Sequence, residues 1–140
     1  MQYTKKNYYE VGDVIFASNY NMKYDYREPM SKENNPMVMN LFLVIYSEEN
    51  DALTLHKRNY VALKITTNIV DESIYSVKYS NIVNDFMPNQ GFISCSKVHT
   101  FNSTQIAGYL GTMDVNTIKK AFKVYHRFQC ELERQFLSVI

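Results

Sequence analysis

At 140 residues the chain has the length of one ordinary domain, enough to bury a core of its own and too little for two. Hydrophobic residues at 46%, charged residues at 21%, four Gly and three Pro exclude a disordered, collagen-like or low-complexity chain. Fifteen Lys and Arg against fourteen Asp and Glu leave a formal charge of +1, so no overall field advertises nucleic acid or membrane, and any polyanion site has to be a local patch.

Residues 1–9 are polar and aromatic, carry Lys5 and Lys6, and hold no apolar run of signal-peptide length. Val14, Ile15, Phe16 and Ala17 follow the turn-favouring pair Gly12 and Asp13 and read as a short buried strand. Residues 18–36, SNYNMKYDYREPMSKENNP, have no sustained apolar period and contain two prolines. They predict a long polar loop, which a compact domain seldom carries without a functional reason.

Residues 37–47, MVMNLFLVIYS, are the most hydrophobic stretch and read as a central strand buried on both faces, ended by the polar cluster Glu48, Glu49, Asn50 and Asp51. Residues 52–55 are a candidate return strand. Residues 60–67, YVALKITT, alternate, which places Lys64 and Thr66 on one face of a strand and Leu63 and Ile65 on the other. Residues 74–79 alternate again, 91–98 read as a further strand and 106–110 as a short last one. Asp114 then caps a helix predicted to about residue 138. Its stripe Ile118, Phe122, Tyr125, Phe128 or Gln129, Leu132 and Phe136 should pack on the sheet, while Lys119, Lys120, Lys123, Arg127 and Arg134 form a charged outer face. Five or more strands followed by one helix imply a mainly β domain spanning residues 1–140, a small, strongly bent antiparallel sheet or barrel closed by a C-terminal helix. Nowhere do eighteen consecutive apolar residues predict a transmembrane helix.

Phosphate-binding glycine loops, GxSxG elbows and HExxH helices are absent. Cys95 and Cys130 lack a CxxC spacing and form at most one bridge, the usage of a reduced, cytoplasmic chain. His56, His99 and His126 are too scattered to suggest a metal set, and no cofactor is expected. The loop interleaves Lys23, Arg27 and Lys32 with Tyr20, Tyr24 and Tyr26, the pairing that meets RNA phosphates while unstacked bases lie on rings. The plainer alternative is that Asp25, Glu28 and Glu33 neutralise those cations and the tyrosines only cover the sheet. Lys64 with Thr66 places an ammonium and a hydroxyl where a phosphate can be held, or forms an ordinary polar strand face. Lys97 and His99 repeat the two-residue spacing, and an imidazole exchanges a proton near neutral pH.

The blocks VGDVIF at 11–16, LFLVIYS at 41–47, VALKITTN at 61–68, GFISCSKVHTFNSTQI at 91–106 and AGYLGTMDVNTIKKAF at 107–122 resemble, in order and spacing, those of the PemK/MazF toxins. These typically read GDV, RPxLVIS, an apolar strand ending in Thr, a DQIRTxD-like segment and IGxLSxExMxxVDxAL. The resemblance implies an SH3-like barrel closed by a long C-terminal helix, usually as a homodimer. In active members it implies a metal-independent endoribonuclease that cuts single-stranded RNA and is neutralised by an antitoxin seated in its RNA groove.

That chemistry needs a base for the 2′-proton, cations for the charged phosphorane and an acid for the leaving oxygen. Thr66 matches the family Thr, whereas the family Arg falls on Asn40, which carries no charge. Two readings follow. In one, Thr66 positions the phosphate, Arg27 or Lys97 supplies the missing cation, His99 shuttles a proton, and Lys23, Tyr24, Tyr26, Lys32, Asn40 and Lys64 bind RNA. In the other, the barrel binds nucleic acid or a protein without cutting. The long C-terminal helix suggests a third, an assembly role.

Overall fold

The computed structural model describes residues 4–17, 40–48, 58–67, 73–79, 81–84 and 87–139. Six strands appear in chain order: β1 (Asp13–Ala17), β2 (Asn40–Ser47), β3 (Asn59–Thr66), β4 (Ser76–Lys78), β5 (Phe92–Asn102) and β6 (Ile106–Thr112), followed by α1 (Val115–Ser138). They form one antiparallel sheet in the order β4-β5-β3-β2-β1-β6. The strand predicted at 74–79 shrinks to three residues, and those predicted at 91–98 and 106–110 both run further. The candidate strand at 52–55 and the polar loop at 18–36 lie outside the described residues.

Laid flat, six strands would span about 24 Å at about 4.8 Å per neighbour. Yet one buried cluster gathers Val14 and Phe16 of β1, Leu41, Leu43 and Ile45 of β2, Leu63 and Ile65 of β3, Val77 of β4, Ile93 and Cys95 of β5 and Leu110 of β6. The sheet is therefore curled around its own side chains. Register shifts between β1 and β6, β2 and β3, and β3 and β5 supply the bends, since an extra residue on one strand kinks it and increases its twist. At the seam, Asn84 Nδ2, from the connection after β4, donates to Leu110 O of β6 at 3.3 Å. Burial pushes the Cys95 thiol up to about 12, which makes this cysteine an inert core residue.

The outer face of the sheet carries a second cluster, Ile15, Ala17, Phe42, Val44, Tyr60, Ala62, Phe101 and Ile106, with Tyr9 of the N-terminal segment laid against it. The alternation read along 60–67 is obeyed, because Leu63 and Ile65 enter the inner cluster while Tyr60 and Ala62 join the outer one. β2 is buried on both faces from Leu41 to Ile45, as its continuous apolar run requires.

Residues 4–9 read as unremarkable polar sequence, but they are built in. Thr4 exchanges two backbone hydrogen bonds with Tyr109 of β6. The Tyr9 N–H donates to Tyr60 Oη at 3.2 Å, and Ser47 Oγ donates to Tyr9 O at 2.7 Å. Asp13, 1% exposed, accepts from Lys6 Nζ at 2.8 Å, Glu10 N at 2.9 Å and Thr112 Oγ1 at 3.0 Å. The N-terminal segment and the end of β6, 99 residues further on, thus meet on one buried carboxylate.

Gly12 holds the same corner. Its φ is +97°, its N–H donates to Val44 O and its carbonyl accepts from Met113 N, both at 2.8 Å. A Cβ there would lie 2.6 Å from Ile118 Cδ1. Gly12→Ala is expected to cost about 1–3 kcal/mol of stability, from left-handed strain and a displaced helix contact. An unchanged urea midpoint would show that the turn relaxes freely.

Asp114 is the N-cap of α1, accepting from Thr117 N at 3.0 Å. The expected apolar stripe needs correction. Against the described residues α1 docks as far as Phe128, through Ala121 with Ile118, Val124 and Tyr125 against the inner cluster and Phe128 against Tyr75. Phe122, Leu132 and Phe136 stand 37%, 53% and 62% exposed. A helical period says which side is apolar but not how far the sheet beneath it extends. The outer cationic face also contributes one anchor, since Arg127 lies over the Tyr75 ring and donates to Ile74 O. No helix among the described residues is long and apolar enough to cross a membrane.

Candidate functional site

Four of the sequence-chosen side chains, Asn40, Lys64, Thr66 and His99, lie along the outer face of the sheet where β2, β3 and β5 run together. Phe42 of β2 is paired directly with Lys64 of β3, and Ala62 of β3 directly with His99 of β5. Directly opposed residues project to the same side, so Phe42, Ala62, Lys64 and His99 share one surface. The next β2–β3 pair is Leu41 with Ile65, which leaves Asn40 and Thr66 as the flanking positions at the end of that surface. Asn40, Lys64 and His99 are half-buried, and Thr66 is 8% exposed.

Lys97 arrives by a different route. β3 pairs Leu63 with Val98 but Lys64 with Ser94, so Cys95, Ser96 and Lys97 bulge out of the β3–β5 ladder. The bulge explains why β5 runs on to Asn102: its first part pairs with both β4 and β3, and its second part with β3 alone. It also leaves Lys97 exposed close to His99.

The His99 ring is seated edge-on against Phe42, with centroids 5.0 Å apart, and stacks with Phe101 at 6.3 Å. Its Nε2 is buried and has no hydrogen-bond partner among the described residues. Burial, then the positive charges of Lys64 and Lys97, hold its pKa below the ordinary 6.5. At neutral pH the imidazole is therefore uncharged and can accept a proton, while the two ammonium groups that depress it can hold an anion. The hydroxyl of Thr66 and the amide of Asn40 stand at one end of this face, His99 and Lys97 about 13 Å further along β3, and Lys64 between them. These are groups that bind and polarise phosphate esters along a strand.

Arg27, Lys23, Tyr24, Tyr26 and Lys32 lie outside the described residues. His126 is exposed on α1, with Nε2 3.5 Å from Cys130 Sγ, away from the sheet surface. Among the described residues, no three His, Cys, Asp or Glu side chains gather as metal ligands. Arg58, immediately before β3, escaped sequence reasoning. It is 2% exposed, its guanidinium lies 3.9 Å over the Tyr8 ring, and its carbonyl accepts from Ser103 N at 3.0 Å. An arginine flanking a strand gives no sign in sequence that it will be buried against an aromatic from the N-terminus.

No protein-family model matches the chain, and no curated protein sequence does. Solved structures do. An endoribonuclease from a mycobacterial species, solved in complex with its cognate antitoxin, superposes with a TM-score of 0.55 at 18% identity, over 84% of this chain and 91% of that one. A second mycobacterial endoribonuclease gives 0.54 at 17% identity, over 85% and 88%. The Mycobacterium tuberculosis toxin MazF-mt6 gives 0.54 at 10% identity, over 83% of this chain and 94% of that one. The curled six-stranded sheet with its C-terminal helix is thus the fold of the MazF-type endoribonuclease toxins.

Proposed function

We propose that this chain is a toxin endoribonuclease that cuts single-stranded RNA without a metal ion. The observation that supports the reading is the alignment of Asn40, Lys64, Thr66 and His99 along one face of the sheet, with Lys97 near His99. In the reaction, the ribose 2′-oxygen attacks the adjacent phosphorus and forms the new P–O2′ bond. The P–O5′ bond breaks, leaving a 2′,3′-cyclic phosphate and a 5′-hydroxyl. His99, neutral at pH 7, takes the 2′-proton and returns it to the leaving 5′-oxygen. Thr66 and Asn40 hydrogen-bond the phosphate oxygens, and Lys64 and Lys97 hold the charge that develops on them, which partly replaces the cation missing at Asn40. Arg27 is the alternative source of that cation. A cytoplasmic homodimer completes the proposal, together with a protein antitoxin, the last supported by the likeness to an endoribonuclease solved with its cognate antitoxin.

The buried Nε2 favours a second reading, a barrel that binds RNA or protein without cutting, because the imidazole would have to be uncovered before that nitrogen reached a ribose. Incubation of the purified chain with a long defined RNA in excess chelator separates the two. Cleavage with 2′,3′-cyclic phosphate ends is expected. Intact RNA, or cleavage that chelator abolishes, would remove the proposal.

A further inference from the structure

The end of the sheet that carries Asn40 and Thr66 also carries a cleft of about 640 Å³ that no part of the proposed chemistry uses. It is lined by Thr67, the residue after the proposed phosphate-binding threonine, by Lys78 at the end of β4, and by Asn89 and Gln90 just before β5. All four are exposed. The floor is apolar and fixed, formed by Tyr79 at 7% and Phe92 at 5% exposure, and Tyr79 Oη donates to Pro88 O at 2.8 Å.

Gly91 fits this segment tightly against the strand end. A Cβ there would lie 2.5 Å from Tyr79 Oη and 3.0 Å from Thr66 O. Phe92 pairs directly with Thr66 in the ladder. The cleft wall is thereby tied to the residue expected to grip the scissile phosphate. Its volume falls within the range of small-molecule sites, about 300–1,000 Å³, and leaves room for a nucleotide.

We propose that this cleft is a base-reading subsite, in which Asn89 and Gln90 hydrogen-bond the base edge of the nucleotide adjoining the cut and Lys78 engages its phosphate. The inference rests on the RNA reading above and adds how sequence would be chosen. Side-chain amides carry both donors and acceptors, the mixed pattern that a base edge presents and a bare phosphate does not. The described lining includes one cation and no carboxylate, which suits an anionic nucleotide. Single-stranded RNA is recognised in this way, by base edges splayed into pockets. Phosphate contacts hold a strand without reading it, so Lys78 and the two amides have separable effects.

The test maps cut sites in one long defined RNA and measures anisotropy with uncleavable 2′-O-methyl oligonucleotides of differing sequence. The wild-type chain is compared with Asn89→Ala, Gln90→Ala and Lys78→Ala. The amide variants are expected to flatten the preference at one nucleotide beside the cut by about tenfold, and Lys78→Ala to weaken all oligonucleotides alike. Unchanged preference in both amide variants, with wild-type cutting or binding intact, would overturn the subsite alone. Should the wild type bind with preference but not cut, the cleavage proposal fails and the binding preference of the variants still decides the subsite. A wild type that neither cuts nor binds any RNA would overturn both. The substituted side chains are exposed, and matched thermal unfolding confirms that the variants are folded.

Discussion

His99→Gln is expected to lower RNA cleavage about 10²–10⁴-fold, the usual contribution of a positioned general base, and to abolish the acid limb of the pH profile. In the unsubstituted chain, kcat/KM should fall as pH drops below 6.5, with its midpoint under that value, because burial and the charges of Lys64 and Lys97 disfavour the imidazolium. Lys64→Ala separates chemistry from packing. Loss of one nearby positive charge moves the acid midpoint upward, toward 6.5, whereas a purely structural histidine would leave the profile unmoved. Stability carries the same sign: the contribution of a neutral His99 is present above 6.5 and is lost as pH falls through its lower folded value. Full activity in a Thr66→Ala, His99→Ala double variant would remove both residues from the site.

Asp13→Ala is expected to cost about 1–3 kcal/mol, the range for removing one partner of a hydrogen-bonded group. The carboxylate is enclosed and serves Lys6, Glu10 N and Thr112 at once, so truncation leaves a backbone N–H unpaired, leaves the Thr112 hydroxyl with Tyr109 Oη as its neighbour and takes away the counter-ion of one ammonium. Urea unfolding measures the loss, and a midpoint within error of the wild type would show that the corner is dispensable. Partial burial by itself lowers the Lys6 pKa, but the hydrogen bond and charge of Asp13 outweigh it, and the net value is raised above 10.5. The stabilisation from this pair is accordingly complete below 10.5 and fades as pH rises through the folded pKa of Lys6. Lys6→Met should remove that alkaline dependence and leave the acid dependence of His99 in place.

Much of the candidate site was legible because it lies on strands. A period of two settles that Lys64 and Thr66 look the same way, and the mixed apolar and polar run around them marks a half-buried surface. What lay across from them was not legible. Phe42 sits inside an unbroken apolar run where neither face is distinguishable, and only the pairing of Phe42 with Lys64 and of Ala62 with His99 reveals a shared floor. Asp13 was read as a turn former and is instead a buried hub, since its partners come from residues 6 and 112. The apolar stripe of α1 was read as wholly docked, although its second half extends past the described strands with Leu132 and Phe136 exposed.

The sequence by itself determined most of the strands, which end is helical, which side chains belong inside and, through five spaced blocks, the kind of fold they build. These are local properties, set by periodicity and by the turn and cap residues of short windows. Tertiary structure alone decided that residues 4–9 pack along the outer face. It also decided that a bulge delivers Lys97 to His99 and that residues 88–92 close a cleft against Thr66. Register between strands depends on how a whole curled sheet fills its core, and no window of neighbouring residues contains that information.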